Sequence, residues 1–177
     1  MHKSHWYAVR TRSNYERRVS LLLAEKGIEH FLPTFLEVHQ WKDRKKLVES
    51  PLFPGYLFTR IPDSRESRFS VLSTEGVVTL LGNGDMIEQV PEHEIEAVRT
   101  LLQCNTRCQT HPLLKEGAWV RVKRGPLKNL EGLLVRVKTQ TRLVLSITLL
   151  SQSVSTELDA SDVQFLRSTS QQVRRIA

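Results

Sequence analysis

The chain has 177 residues, 40% apolar and 25% charged, with a formal net charge of +7 at pH 7. That is the composition of an ordinary globular protein of one or two domains. No apolar run approaches the roughly 20 residues of a membrane span, and Met1-His2-Lys3-Ser4-His5-Trp6 enters a strand-like pattern instead of a secretory leader, so a cytoplasmic protein with no membrane partner is expected; a monomer is expected alongside.

In chain order, Trp6-Tyr7-Ala8-Val9-Arg10 reads as a first strand. Ser13 and Glu16 have the spacing of a capping box at a helix start, and Tyr15, Val19, Leu22 and Leu23 form one buried stripe on that helix. Gly27 is its natural stop. Phe31-Leu32-Pro33 leads to a strand near Phe35–Gln40, the run Lys42-Asp43-Arg44-Lys45-Lys46 makes a loop or hairpin tip, and Leu47-Val48 returns toward a strand at Tyr56–Ile61. A short helix carries Phe69 and Leu72, Val77–Leu81 is another strand, and Pro91 opens a helix whose buried face is Ile95, Val98, Leu101 and Leu102.

The order β-α-β-β-α-β plus a terminal helix predicts an α+β, ferredoxin-like domain over residues 1–103, an antiparallel sheet with helices on one face. Residues 104–115 lose periodicity and read as a linker. After it the helical signal vanishes: Trp119–Lys123, Leu133–Lys138, Leu143–Leu149, Ser153–Leu158 and Val163–Leu166 predict a small all-β barrel over 116–167. The polar tail 168–177 reads as frayed. Charge is distributed unevenly, at +5 over residues 1–60, −4 over 61–110 and +6 over 111–177. Two basic ends around an acidic middle point to anionic partners, nucleic acid first.

Phe53-Pro54-Gly55-Tyr56-Leu57-Phe58 packs three aromatics and a leucine around a turn signal, just after the basic run. Alternation puts Tyr56 and Phe58 on one face of a strand, with Phe53 beside them across the kink. The motif alone admits core packing, the commoner fate of large apolar residues, or a docking surface near nucleic acid. A second motif is Val120-Arg121-Val122-Lys123-Arg124-Gly125-Pro126-Leu127-Lys128-Asn129-Leu130-Glu131-Gly132, in which Gly125-Pro126 turns out of a strand, basic side chains rim the turn, and Gly132 restarts the next strand.

This second motif resembles the KOW motif of ribosomal proteins and transcription factors. With Trp6–Arg10 and the 53–58 run, it makes the chain similar to the NusG family of transcription elongation factors from Trp6 to about Leu166, and the Pro-Leu-Phe-Pro-Gly-Tyr-Leu-Phe run at 51–58 resembles the specialised RfaH-like antiterminators of polysaccharide operons. The resemblance implies a ferredoxin-like N-terminal domain linked to an SH3-like KOW barrel (Lys123, Arg124, Gly125, Pro126, Lys128, Gly132). It implies that Tyr7, Phe53, Tyr56 and Phe58 bind the clamp helices of RNA polymerase, that Ser67, Arg68 and Ser70 meet the opposite lobe, and that Arg10, Arg12, Arg17 and Arg18 meet exposed non-template DNA. Arg68 and Phe69 depart from the polar pattern of RfaH-like proteins. Leu150-Ser151-Gln152 and Ala160 depart from the barrel end that, in the family, contacts a ribosomal protein or the termination factor Rho.

Nothing reads as catalysis: there is no phosphate-binding Gly-rich loop, nucleophile elbow or H-E-x-x-H. Asp159 and Asp162 read as turn formers. Cys104 and Cys108, flanked by His93 and His111, match no zinc spacing, so neither a metal nor a cofactor is expected, and two unpaired thiols fit a reducing compartment. The expected function is elongation or antitermination by non-covalent binding to polymerase. A general elongation and termination factor, or a ribosome-associated RNA-binding protein using the barrel alone, are the alternatives. The β-branched, alternating strands at 119–122 and 143–148, with Gly125-Pro126 and Gly132 between them, predict a barrel that is β in the free protein and not a helical hairpin.

Overall fold

The computed structural model describes residues 3–40, 45–83, 86–103, 108–112, 118–137, 140–147, 150, 152–158 and 162–168. The chain divides into two compact units, Met1–Glu92 and His93–Ala177.

In the first unit, β1 (Ser4–Thr11) is followed by α1 (Glu16–Glu25), β2 (Glu29–Phe31), β3 (Thr34–Gln40), β4 (Lys45–Pro51), β5 (Tyr56–Pro62), α2 (Arg65–Leu72), β6 (Val77–Leu80), the short strands β7 (Gly82–Asn83) and β8 (Met86–Ile87), and β9 (Gln89–Val90). The main sheet runs β2-β5-β1-β6, with β9 beside β6 on the same edge of β1, and every pairing is antiparallel. Taken as four strands, this is the expected ferredoxin-like order. Two details differ from expectation. The second sheet strand is Glu29–Phe31, while Thr34–Gln40 pairs only with Lys45–Pro51 in a separate hairpin. Pro33 separates them, and a three-residue run before a proline carries no strand signal of its own in sequence.

One face of the sheet carries Tyr7, Val9, Leu57, Ile61 and Leu80, packed with Val19 and Leu23 of α1 and Val71 of α2. Each of these stripes removes a few large side chains from water, at about 1.5–3 kcal/mol apiece. The opposite face presents Trp6, Ala8, Phe31 and Phe58. α1 ends where sequence placed its stop: Gly27 adopts φ +67°, its N–H donates to the Ala24 carbonyl, and the Ile28 N–H donates to that of Leu23. The expected capping box does not form. Asn14 turns left-handed (φ +64°) and the helix starts at Glu16 with Tyr15 as its cap, so Glu16 is the first helical residue, too early to reach back to Ser13.

Helix α3 (Glu92–Gln103) begins at the division between the units, with Ile95, Val98 and Leu101 buried as its periodicity predicts. The second unit holds β10 (Cys108–Pro112), β11 (Ala118–Val122), β12 (Glu131–Val137), β13 (Gln140–Ile147), β14 (Gln152–Glu157) and β15 (Val163–Ser168), in one antiparallel sheet ordered β10-β14-β13-β12-β11-β15. Five of these are the expected barrel strands, around a core that includes Val120, Val122, Leu127, Leu133, Val144, Leu150, Val154 and Val163. β10 lies inside the stretch read as linker. Its sequence, Cys-Gln-Thr-His-Pro, has no apolar alternation, and it joins the sheet by main-chain pairing to β14, which needs none. Ala160, Asp159, Ser151, Cys104 and the tail 169–177 lie outside the described residues.

Candidate functional site

The Phe53–Tyr56 segment is a β-turn: the Tyr56 N–H donates to the Phe53 carbonyl at 3.0 Å, Pro54 occupies the second position and Gly55 the third with φ +81°, the signature of type II. Two bonds tie this turn to the end of β1 and the start of α1. The Thr11 N–H donates to the Gly55 carbonyl (2.8 Å), and the Gly55 N–H donates to Glu16 Oε1 (2.7 Å), a carboxylate only 6% exposed. The Phe53 ring meets Phe58 edge-on at 6.1 Å, and Phe58 stacks with Phe31 at 6.2 Å. These are favourable aromatic geometries, worth about 0.5–1.5 kcal/mol each beyond burial.

The aromatic candidates separate. Phe58 shares the face of Tyr56 as alternation requires, but it and Phe53 are fully buried, while Tyr56 is half-buried. Tyr7 belongs to the other face, in the core with Val9, Val19 and Leu23, because it pairs with Thr59 one residue out of phase with Phe58. Burial, and then the nearby Asp63 carboxylate, push its phenol pKa up. Tyr7 is therefore corrected from contact residue to core, and so are the fully buried Phe53 and Phe58, which leaves Tyr56 as the partly exposed member of the four.

The arginines separate too. Arg17 donates to the Glu49 carbonyl (2.6 Å) and carboxylate (3.0 Å), joining α1 to the β3–β4 hairpin, and Arg18 reaches Glu75 at 3.4 Å. Such exposed pairs are worth about 0–1 kcal/mol. Arg10 and Arg12 are exposed and meet no carboxylate among the described residues. Arg10 lies directly across the ladder from Tyr56, within reach for a shared contact.

Of the candidates on α2, Ser67 donates its backbone N–H to the capping Ser64 Oγ, Arg68 is ion-paired with Asp63, and the Ser70 carbonyl accepts from Lys26 Nζ at 2.8 Å. These residues are engaged within the fold. Phe69 is the exposed one, at 70%, with Leu72 beside it at 44%, and sequence reasoning gave neither a role. The signal was present: at about 100° per residue, Val71 faces away from the Phe69–Leu72 side, so a helix this short cannot bury all three.

In the second unit, β11 leads into a turn in which Gly125 (φ +80°) and Asn129 (φ +73°) are left-handed, closed by Lys128 N–H to the Gly125 carbonyl and Asn129 N–H to that of Val122. Lys123, Arg124, Pro126 and Lys128 are exposed around it, Leu127 is buried beneath it, and Gly132 is buried opposite Val120. A cleft of about 610 Å³ that sequence reasoning did not foresee lies by the start of β1, lined by Lys3, His5, Trp6, Glu29, Arg60 and Glu92. The Arg60 guanidinium sits 6.0 Å from the Trp6 ring centre and pairs with Glu92 (3.4 Å) and Glu29 (3.9 Å), so its charge is already met.

The family model described as "Transcription termination factor nusG" matches residues 4–99, the whole span from β1 into α3. The chain belongs to the NusG family. Its NusG-type relatives include the "Transcription termination/antitermination protein NusG" of Escherichia coli K12, 26% identical over 174 residues and covering 92% of this chain and 96% of the relative. That of Vibrio vulnificus is also 26% identical, covering 93% and 97%. A solved structure titled "Domain interaction in Thermotoga maritima NusG" shares the fold, with TM-score 0.57 at 20% identity over 93% of this chain and 98% of that one. NusG-family proteins are transcription termination/antitermination factors, not enzymes. Among the described residues, no helix is long and apolar enough to cross a membrane.

Proposed function

We propose that this chain binds RNA polymerase through the Tyr56 corner of the first unit and suppresses pausing or termination, at selected operons, as a cytoplasmic monomer. The observation that carries the reading is the half-buried Tyr56 at the end of the type II turn, next to the buried Phe53–Phe58–Phe31 cluster in sequence and with exposed Arg10 opposite it. An aromatic beside an exposed cation has the chemistry of an interface anchor. The mechanism is non-covalent: binding that favours the closed polymerase over its open, paused form shifts the population by the difference in affinity. In this reading the exposed Arg10 and Arg12 meet non-template DNA in the same complex, and Arg17 and Arg18 join them on exchanging their carboxylates for phosphate. The first domain is taken as residues 1–103 and the barrel as 116–167.

The test is Tyr56→Ala. With the fold intact by circular dichroism, its affinity for core RNA polymerase is expected to fall roughly 30- to 1000-fold, the effect of losing an anchor worth about 2–4 kcal/mol. A folded Tyr56→Ala that binds like wild type refutes the docking site.

A further inference from the structure

We propose that Glu16 is the positioning residue of this site: by accepting the Gly55 N–H, its carboxylate selects the turn that seats Phe53 against Phe58 and presents Tyr56. The inference rests on the docking reading above and extends it from the contact residue to what holds it.

Type I and type II turns differ chiefly by a flip of the central peptide. Here that peptide joins Pro54 to Gly55, and its N–H is the one Glu16 accepts at 2.7 Å. The other two bonds at the turn, from Tyr56 N–H and Thr11 N–H, go to carbonyls and leave this donor untouched. The Gly55 donor therefore gives the surroundings a handle on that flip. A Cβ built on Gly55 meets nothing within 4 Å, so glycine is required there for its φ of +81° and not for space. Glu16 suits the task. It is the first residue of α1, where the N–H groups of the helix start stabilise a carboxylate, and it is 6% exposed, which fixes its rotamer. A charged acceptor makes a shorter and stronger bond than a neutral one. Through this bond the α1 start, the end of β1 (through Thr11) and the aromatic cluster form one unit.

The experiment compares full-length Glu16→Ala, Glu16→Gln and Tyr56→Ala, reading affinity for core RNA polymerase, thermal unfolding and hydrogen exchange at the Gly55 amide. Glu16→Ala is expected to speed Gly55 exchange and weaken polymerase binding by about tenfold or more, the effect of losing one charge-assisted bond. Glu16→Gln, which keeps an oxygen acceptor in place, restores most of both, a rescue that a merely structural role would not produce in the affinity of the folded fraction. If Glu16→Ala binds like wild type while Tyr56→Ala does not, the positioning role is overturned and the docking site stands. If neither variant loses affinity, the docking site itself fails and the positioning role falls with it. Should Glu16→Ala not fold, Glu16→Asp, which keeps the charge at the helix start but is one methylene too short for the 2.7 Å contact, takes its place: faster Gly55 exchange with severalfold weaker binding upholds the proposal, and wild-type values in both overturn it.

Discussion

Tyr7 and Tyr56 lie on adjacent strands, yet their phenols face different surroundings and have different consequences. Tyr7 is enclosed, and its pKa is raised above the ordinary 10.0 by burial and by Asp63. A phenol whose folded pKa exceeds its unfolded one contributes stability that is complete below pH 10 and lost as pH rises through the folded value, since the unfolded chain releases its proton first. Urea titrations across the alkaline range are therefore expected to show stability falling above pH 10, with Tyr7→Phe falling less steeply; equal slopes would refute the assignment. Gly76 makes a second residue-scale case. Its φ is +91°, its carbonyl accepts from the Arg12 N–H, and a Cβ there would lie 2.7 Å from Tyr15 Cδ1. Gly76→Ala is expected to cost about 1–3 kcal/mol, combining backbone strain with overpacking. Chemical denaturation measures it, and a change below about 0.5 kcal/mol, the range of an ordinary surface substitution, would show that the loop adapts.

At the scale of elements, α1 is tied down at both ends by charged side chains. Glu16 holds the turn before β5. Lys26 reaches the end of α2, donating to the Ser70 carbonyl (2.8 Å) and to Thr74 Oγ1 (2.9 Å), where a cation complements the helix C-terminus. Lys26→Met keeps the stem and removes the charge, and is expected to cost about 1 kcal/mol, of which the helix-end term is the part that salt screens; a stability gain would refute the role. The barrel strands make an element-scale prediction of a different kind. β11 to β14 pair in sequence order, and Gly125 and Asn129 hold positive φ in the turn between β11 and β12, where a helical hairpin would need continuous helix. NMR shifts across residues 118–157 of the full-length protein are expected to be those of strands, and helical shifts there would overturn this. The sequence showed these elements well, because period-two alternation and Gly-Pro punctuation are local signals. It missed β2 and β10 because a three-residue strand and a polar edge strand have no period of their own and exist only through their partners β5 and β14.

Across the whole molecule, the net charge of +7 resides in the two ends of the chain, and what decides its use is which cations are already paired. Arg17 and Arg18 have carboxylates; Arg10 and Arg12 have none among the described residues. For a paused complex carrying exposed non-template DNA, replacing Arg10 and Arg12 by Ala is expected to flatten the salt dependence of binding by about one unit for each phosphate no longer neutralised. The Arg17, Arg18 double variant should change it less, because each guanidinium first gives up a carboxylate. Unchanged slopes in both variants would remove DNA from the set of partners.

From sequence alone came the two-part α+β and all-β organisation, the α1 and α3 stripes, the Gly27 stop, and the shared face of Tyr56 and Phe58. Each follows from spacing along a few residues, which fixes periodicity and turn chemistry before any tertiary contact exists. Only the tertiary structure decided that Tyr7 faces the core, that Phe53 and Phe58 are buried while Tyr56 is partly exposed, that Arg68 turns to Asp63 while Phe69 faces water, and that Glu16 holds Gly55 instead of Ser13. Those outcomes depend on residues far apart in the chain, such as Glu16 and Gly55, 39 positions distant. Alternation says which side chains share a face, but strand order and long-range hydrogen bonds determine which face is covered and which polar group finds which partner.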